Sequence, residues 1–199
     1  MEENNSAFFA MMSRLRYIDR WELMRNSREE NLAEHSLDVA MIAHALCVIG
    51  NKRFNKNLDA EHAALIAMYH DVSEIITGDM PTPVKYFNPE IKNIYKDIEH
   101  RASEKLINYL PDDMKTDYRE ILEPEGDAFI YERKLVKAAD KLSAYIKCIE
   151  ERKCGNTEFI SAEKTTLESI KKMGLPEVDI FLAEFIPSYN KTLDELGEK

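Results

Sequence analysis

The segment ALIAMYHDVSEII, residues 64–76, is apolar enough for a core helix, yet His70-Asp71 interrupts it. Ala63, Ile66 and Ala67 recur at the helical period, and Asp59 upstream is a fit N-cap. Consecutive helix positions point about 100° apart, so both side chains of the pair can reach one ion lying over the seam between them. A structural His-Asp hydrogen bond is the alternative, and the segment alone leaves both open.

Upstream, a helix is predicted from near Glu34 to about Ile49, with Gly50 as its stop. Its apolar positions Leu37, Ala40, Met41, Ala45 and Val48 recur three and four apart. His35 stands at its beginning, where the helix N-terminus favours the neutral, metal-binding form of imidazole. An exposed first-turn histidine is the plainer reading. Before it, RLRYIDRWELMRNSR (14–28) sets Arg14, Arg16, Arg20, Arg25 and Arg28 against Asp19 and Glu22. That run is either a solvated basic face or the source of one or two phosphate-clamping arginines. A first helix is expected over Ser6–Tyr17, with Ser6 as N-cap.

Downstream, Gly78 and Pro81-Thr82-Pro83 end the central helical region. Asn88-Pro89 opens a further helix whose buried stripe is expected at Ile91, Ile94, Ile98 and Ala102. A shorter helix over Asp112–Leu122 and a loop over Glu123–Ala128 follow. A long helix from about Glu132 to Cys154 carries Leu135, Ala139, Leu142, Ile146 and Ile149 on one face. Asp140 lies inside it, although aspartate is a poor interior helix former. It is either at the edge of the polar face, with Val136, Ser143 and Lys147 on its side, or held inside by a cation. Two more helices break near Gly174 and Pro176. No segment alternates with a period of two, so the expected class is all-α, as one domain over residues 1–199.

The 199 residues are 44% hydrophobic and 32% charged, which fits a globular chain and argues against wholesale disorder. A formal net charge of −10 excludes a nucleic-acid groove but not a small anion. Cys47, Cys148 and Cys154 show no zinc-type or redox-type pairing, so a reducing compartment is expected. MEENNSAFF at the start lacks the basic and apolar regions of a signal peptide. No apolar stretch is read as approaching membrane-spanning length. A cytoplasmic protein without a membrane partner is the expectation. His44, His62 and His100 are assigned to no site: His44 faces away from His35, His62 is expected to be solvated, and His100 lies among Glu99, Arg101 and Glu104.

Taken in order, His35, His70-Asp71 and Asp140 match the H…HD…D pattern of HD-domain phosphohydrolases. Arg20-Trp21, NLAEHSLDVAMIAHAL, AMYHDVSEIITGDMPTPVKYFN and LVKAADKLSAYIKCIEE resemble the 5′-deoxynucleotidases of the YfbR type within that superfamily. GDMPTPVKY is the most discriminating piece, because generic HD domains lack it. The resemblance spans nearly the whole chain. It implies an all-α HD-domain helical bundle, a bound divalent metal, a homodimer, and hydrolysis of deoxyribonucleoside 5′-monophosphates to deoxynucleoside and phosphate.

On that resemblance the metal ligands are His35, His70, Asp71 and Asp140. Two imidazoles and two carboxylates suit Co²⁺, Mn²⁺, Fe²⁺ or Zn²⁺ better than Mg²⁺. Arg20 is the candidate for orienting phosphate with its planar donor fork. Glu74, three residues after Asp71, is the candidate general base. Asp79 would protonate the leaving 5′-oxygen or hold the sugar 3′-hydroxyl. Trp21 would pack on the deoxyribose and leave no room for a 2′-hydroxyl. Met80, Pro81 and Thr82 would complete the sugar wall, and His35, Asp71 and Asp140 would also border the substrate. The rival readings are an HD phosphohydrolase for another nucleotide and a non-catalytic nucleotide-sensing HD module.

Overall fold

The computed structural model describes residues 5–197 apart from 86, 125, 127 and 128; the side chain of Thr82 and part of the expected Glu123–Ala128 loop thus lie outside the described residues. The helices are α1 (Phe8–Met12), α2 (Leu32–Arg53), α3 (Ala60–Tyr69), α4 (Glu74–Thr77), α5 (Thr82–Lys85), α6 (Pro89–Ile107), α7 (Lys115–Leu122), α8 (Ile130–Lys153), α9 (Ile160–Lys171), α10 (Pro176–Glu184) and α11 (Leu193–Gly197). Short 3₁₀ turns cover Ser13–Tyr17, Thr157–Phe159 and Ile186–Asn190. The extended pairing seen among the described residues is one isolated bridge, Asp19 to Asn31. The all-α expectation holds.

The chain divides into two compact units. The first comprises Met1–Leu23, Glu29–Ser36 and Met68–Ala128. Phe8, Leu15, Leu32, Val72, Leu106 and Leu110 form its buried core, with Tyr69 and Tyr118 packed against them. The first predicted helix is two pieces, α1 and a tightened 3₁₀ continuation. Ser6 is not its N-cap. Its hydroxyl donates to the Tyr109 carbonyl at 2.7 Å and accepts a long bond of 3.4 Å from the Phe8 amide. In α6 the Asn88 side chain accepts from the Ile91 amide at 2.7 Å, as an N-cap should. The expected α6 stripe is wrong in part. Ile94 and Ile98 are exposed, while Tyr95, Ala102, Ser103, Leu106 and Ile107 are buried.

The second unit comprises Met24–Arg28, Leu37–Ala67 and Phe129–Lys199. Its core joins Val39, Ile42, Ala43 and Leu46 of α2 to Leu135, Ala139, Leu142 and Ile149 of α8. Leu37, Met41 and Val48, expected inward, are exposed. Helix α2 is apolar on nearly every side, so its period is satisfied by either face. It also contradicts the expectation about membrane length. An 18-residue window of mean hydropathy 1.5 makes it long and apolar enough to cross a membrane, and 56% of that window is buried inside the protein, as in a core helix. Gly50 does not stop α2. A Cβ there would lie 2.8 Å from Leu58 Cδ1 and 3.0 Å from Glu177 Oε1, so the residue is small because neighbours approach closely.

Also in this unit, Glu151 is almost fully buried on α8. Its oxygens take the Ser27 amide at 2.8 Å and Asn156 Nδ2 at 2.7 Å, and pair with Lys147. Burial pushes its pKa up, but these partners outweigh it and hold the carboxyl down at about 2. His62 is not solvated as expected. It is half-buried, with its ring 4.0 Å from that of Phe129.

Candidate active site

Backbone pairing places the first group of side chains. The Arg20 amide donates to the Glu30 carbonyl at 2.8 Å and the Leu32 amide to the Ile18 carbonyl at 3.0 Å. This two-rung clasp sets Arg20, Trp21 and Glu30 beside the start of α2. Asn31 caps that helix, its Oδ1 accepting from the Ala33 and Glu34 amides at 3.0 and 3.1 Å. His35 follows and is fully buried.

The His-Asp pair reaches the same place from the other side. Helix α3 ends at Tyr69, so His70 and Asp71 lie in the turn beyond it, and not within a continuous helix as expected. Turn bonds from Val72 to the Tyr69 carbonyl (3.2 Å) and from Glu74 to the Asp71 carbonyl (3.0 Å) connect α3 to α4. Asp71 Oδ2 lies 3.1 Å from His70 Nε2, 3.5 Å from His35 Nε2 and 3.6 Å from an Arg20 guanidinium nitrogen. Burial opposes the charge on Asp71, but the two histidines outweigh it and hold the carboxyl well below the usual range.

One ligand atom from each of His35, His70 and Asp71 lies within 4.8 Å of the others. Ligands to one first-row cation sit about 2.0–2.2 Å from it, so these atoms need to close only slightly on an ion. The N/N/O donor set fits a borderline divalent cation. Asp140 is in the second unit, on α8. It is half-buried, and Val136, Ser143 and Lys147 on its side of the helix are buried. That side is not a solvated polar edge.

Glu30 was missed in the sequence. It is buried and joins three site residues: Oε2 accepts from Trp21 Nε1 at 2.9 Å and lies 3.8 Å from Arg20 Nε, while Oε1 lies 3.6 Å from His35 Nδ1. Burial raises its pKa, but His35, Arg20 and Trp21 outweigh this and lower it. Carboxylates behind ligating histidines commonly fix tautomer and ring orientation. Trp21 has φ 60°, an unusual left-handed backbone for a bulky residue.

Glu74 opens α4 and is buried, and its Oε2 has no hydrogen-bond partner among the described residues. Burial, then Asp71 and Asp79, push its pKa up to about 9 against the pull of Lys85 and Arg20. Asp79 is half-buried, and burial raises its carboxyl while Arg20 pulls it down. Met80 and Pro81 are half-buried in the same loop. Of the basic run, Arg20 alone is shown beside these carboxylates. Arg14 and Arg16 are exposed, and Arg25 pairs with Glu158.

A helical fold with a buried histidine facing a His-Asp pair defines an HD-domain phosphohydrolase. The fold matches an HD-domain phosphohydrolase from Listeria innocua with TM-score 0.78 and 25% identity, over 92% of this chain and 87% of that one. A cyanophage S-2L HD phosphohydrolase, bound to dA and one catalytic Zn²⁺, matches in fold with TM-score 0.65 at 21% identity, over 92% and 96% of the two chains. The chain belongs to the YfbR-like 5′-deoxynucleotidase family, whose model matches residues 7–189. A 5′-deoxynucleotidase of Yersinia pestis is 52% identical over 195 residues, covering 96% of this chain and 97% of the relative, and one from Yersinia pseudotuberculosis matches equally.

Proposed function

We propose that this chain is a metal-dependent 5′-deoxynucleotidase that hydrolyses deoxyribonucleoside 5′-monophosphates. The cluster of His35, His70 and Asp71 beside Arg20 and buried Glu74 carries the reading. The family membership and the dA-bound cyanophage neighbour support it.

In this reading His35, His70 and Asp71 hold one divalent cation, and the H…HD…D sequence pattern makes Asp140 its fourth ligand. When bound, the cation supplies Lewis acidity toward water and charge neutralisation at phosphate. Arg20, already held by Glu30 and Asp71, turns its fork to the phosphate oxygens. Glu74, raised by burial and by the charges of Asp71 and Asp79, would ionise once a bound cation offset those charges, and would then take the proton of the attacking water at Oε2, which no described residue occupies. Asp79 returns a proton to the leaving 5′-oxygen or holds the 3′-hydroxyl. Trp21, pinned through its indole nitrogen, lies against C2′ of the sugar, and Met80 and Pro81 border it. The reading includes a cytoplasmic homodimer; the exposed apolar residues Leu37, Met41 and Val48 of α2 are surface that a second copy would cover.

The test is phosphate release from matched deoxy and ribo 5′-monophosphates, with Co²⁺, Mn²⁺, Fe²⁺ or Zn²⁺ added to metal-stripped protein. Deoxynucleotides should be preferred and activity should require metal. No release from any monophosphate with any of these metals would overturn the reading.

A further inference from the structure

Tyr95 and Glu99 lie one turn apart on α6, and each holds one end of the loop between α4 and α5. At its start, the buried Tyr95 hydroxyl donates to Thr77 Oγ1 at 3.3 Å, and Thr77 donates to the Gly78 carbonyl at 3.0 Å. At the far end, Lys85 Nζ donates to Glu99 Oε1 at 2.5 Å. The same ammonium lies 4.8 Å from the centre of the Tyr95 ring, within cation–π range. Thr77 closes α4 and Lys85 closes α5, so one closed set of contacts brackets Gly78, Asp79, Met80 and Pro81.

The loop needs such support. It begins at Gly78 with φ 73° and ψ 163°, a conformation essentially reserved for glycine, and a Cβ there would meet nothing within 4 Å. Lys85 also acts electrostatically on Glu74 and Asp79. Its bond to Glu99 fixes where that charge sits.

We propose that Lys85, Tyr95 and Glu99 form a clamp that positions the Gly78–Pro81 loop, and so sets how tightly and how selectively the site grips the nucleotide's sugar. They are positioning residues, acting through Asp79 and its neighbours. The inference rests on the 5′-deoxynucleotidase reading only for its kinetic arm.

The experiment compares Glu99→Gln, Lys85→Met and Tyr95→Phe with the wild type by amide hydrogen exchange, metal titration and kinetics. Exchange should quicken at residues 78–85 while metal affinity holds. KM for a deoxynucleotide should rise about tenfold and the deoxy-to-ribo ratio of kcat/KM should fall, with the larger share of the loss in KM. The charge-swapped pair Lys85→Glu with Glu99→Lys should recover part of both. Unchanged exchange at 78–85 in all three variants would overturn the clamp. So would unchanged KM and selectivity, or a loss confined to metal affinity and melting temperature. If the wild type hydrolysed no nucleotide, the functional reading would fall and the exchange data would still decide whether the clamp exists.

Discussion

Oε1 of Glu30 lies 3.6 Å from Nδ1 of His35, while the other ring nitrogen of His35 points to Asp71. A carboxylate on Nδ1 holds the proton there and leaves Nε2 as the ligating lone pair. Glu30→Gln should therefore weaken metal binding about 10–100-fold, the range seen when such outer partners are lost. Metal titration of stripped protein measures it. Wild-type affinity in the variant would reduce Glu30 to an anchor for Trp21.

Asp140→Ala should abolish tight metal binding and turnover and leave the helical fold largely intact. Metal content after gel filtration and far-ultraviolet circular dichroism check the two halves. Stoichiometric retention of metal would remove Asp140 from the ligand set.

Glu74→Ala should keep metal and nucleotide binding and lose turnover by about 10²–10⁴-fold, the usual share of a general acid–base group. Single-turnover phosphate release is the measurement. Near-normal rates would make Glu74 a spectator, buried for reasons other than catalysis.

Trp21→Ala should raise ribonucleotide hydrolysis relative to deoxynucleotide hydrolysis, even if both rates fall. An apolar pocket that merely tolerates an added hydroxyl discriminates by only about 10²-fold. An indole pinned to Glu30 yields less readily. The ratio of kcat/KM for a matched pair decides it, and an unchanged ratio would move selectivity to the Asp79–Thr82 loop.

Glu151 links stability to acid. Its folded pKa, about 2, lies below its ordinary value of 4.5. Its contribution is therefore present above about 4.5 and is lost as pH falls through about 2. The melting-temperature gap between wild type and Glu151→Gln should be widest near neutrality and shrink across that window. A constant gap would mean that the carboxylate's charge is not what Lys147 and the Ser27 amide hold.

His70-Asp71 was legible because a polar pair interrupts an apolar segment, and Asp140 drew notice as an aspartate inside a helix. His35, at a helix start, entered only through the H…HD…D pattern, and the structure gathers it with His70 and Asp71. Glu30 did not stand out, because SREEN offers Glu29 and Glu30 alike and nothing periodic separates them. Only the pairing of residues 18–20 with 30–32 turns one inward and leaves the other exposed. The stripes of α2 and α6 failed for another reason. In α2 two apolar faces satisfy one period. In α6 the set Tyr95, Ala102 and Leu106 keeps helical spacing as well as Ile94 and Ile98 do, and the wholly apolar isoleucines drew the assignment away from Tyr95 with its hydroxyl. Which face wins is settled by neighbours distant in sequence.

The apolarity of α2 also has a bearing on biosynthesis. Its inward side, from Val39 to Ile49, is covered in part by α8. During translation α8 arrives roughly 100 residues after α2, or about 5–20 s at ordinary elongation rates. For that interval the nascent chain presents a long greasy helix with only part of its core, Ala60, Ala63, Ile66 and Ala67 of α3, to join. The folding yield of this enzyme should therefore depend on chaperones that shield such segments on the ribosome, and truncation before α8 should give aggregates and not a smaller soluble protein.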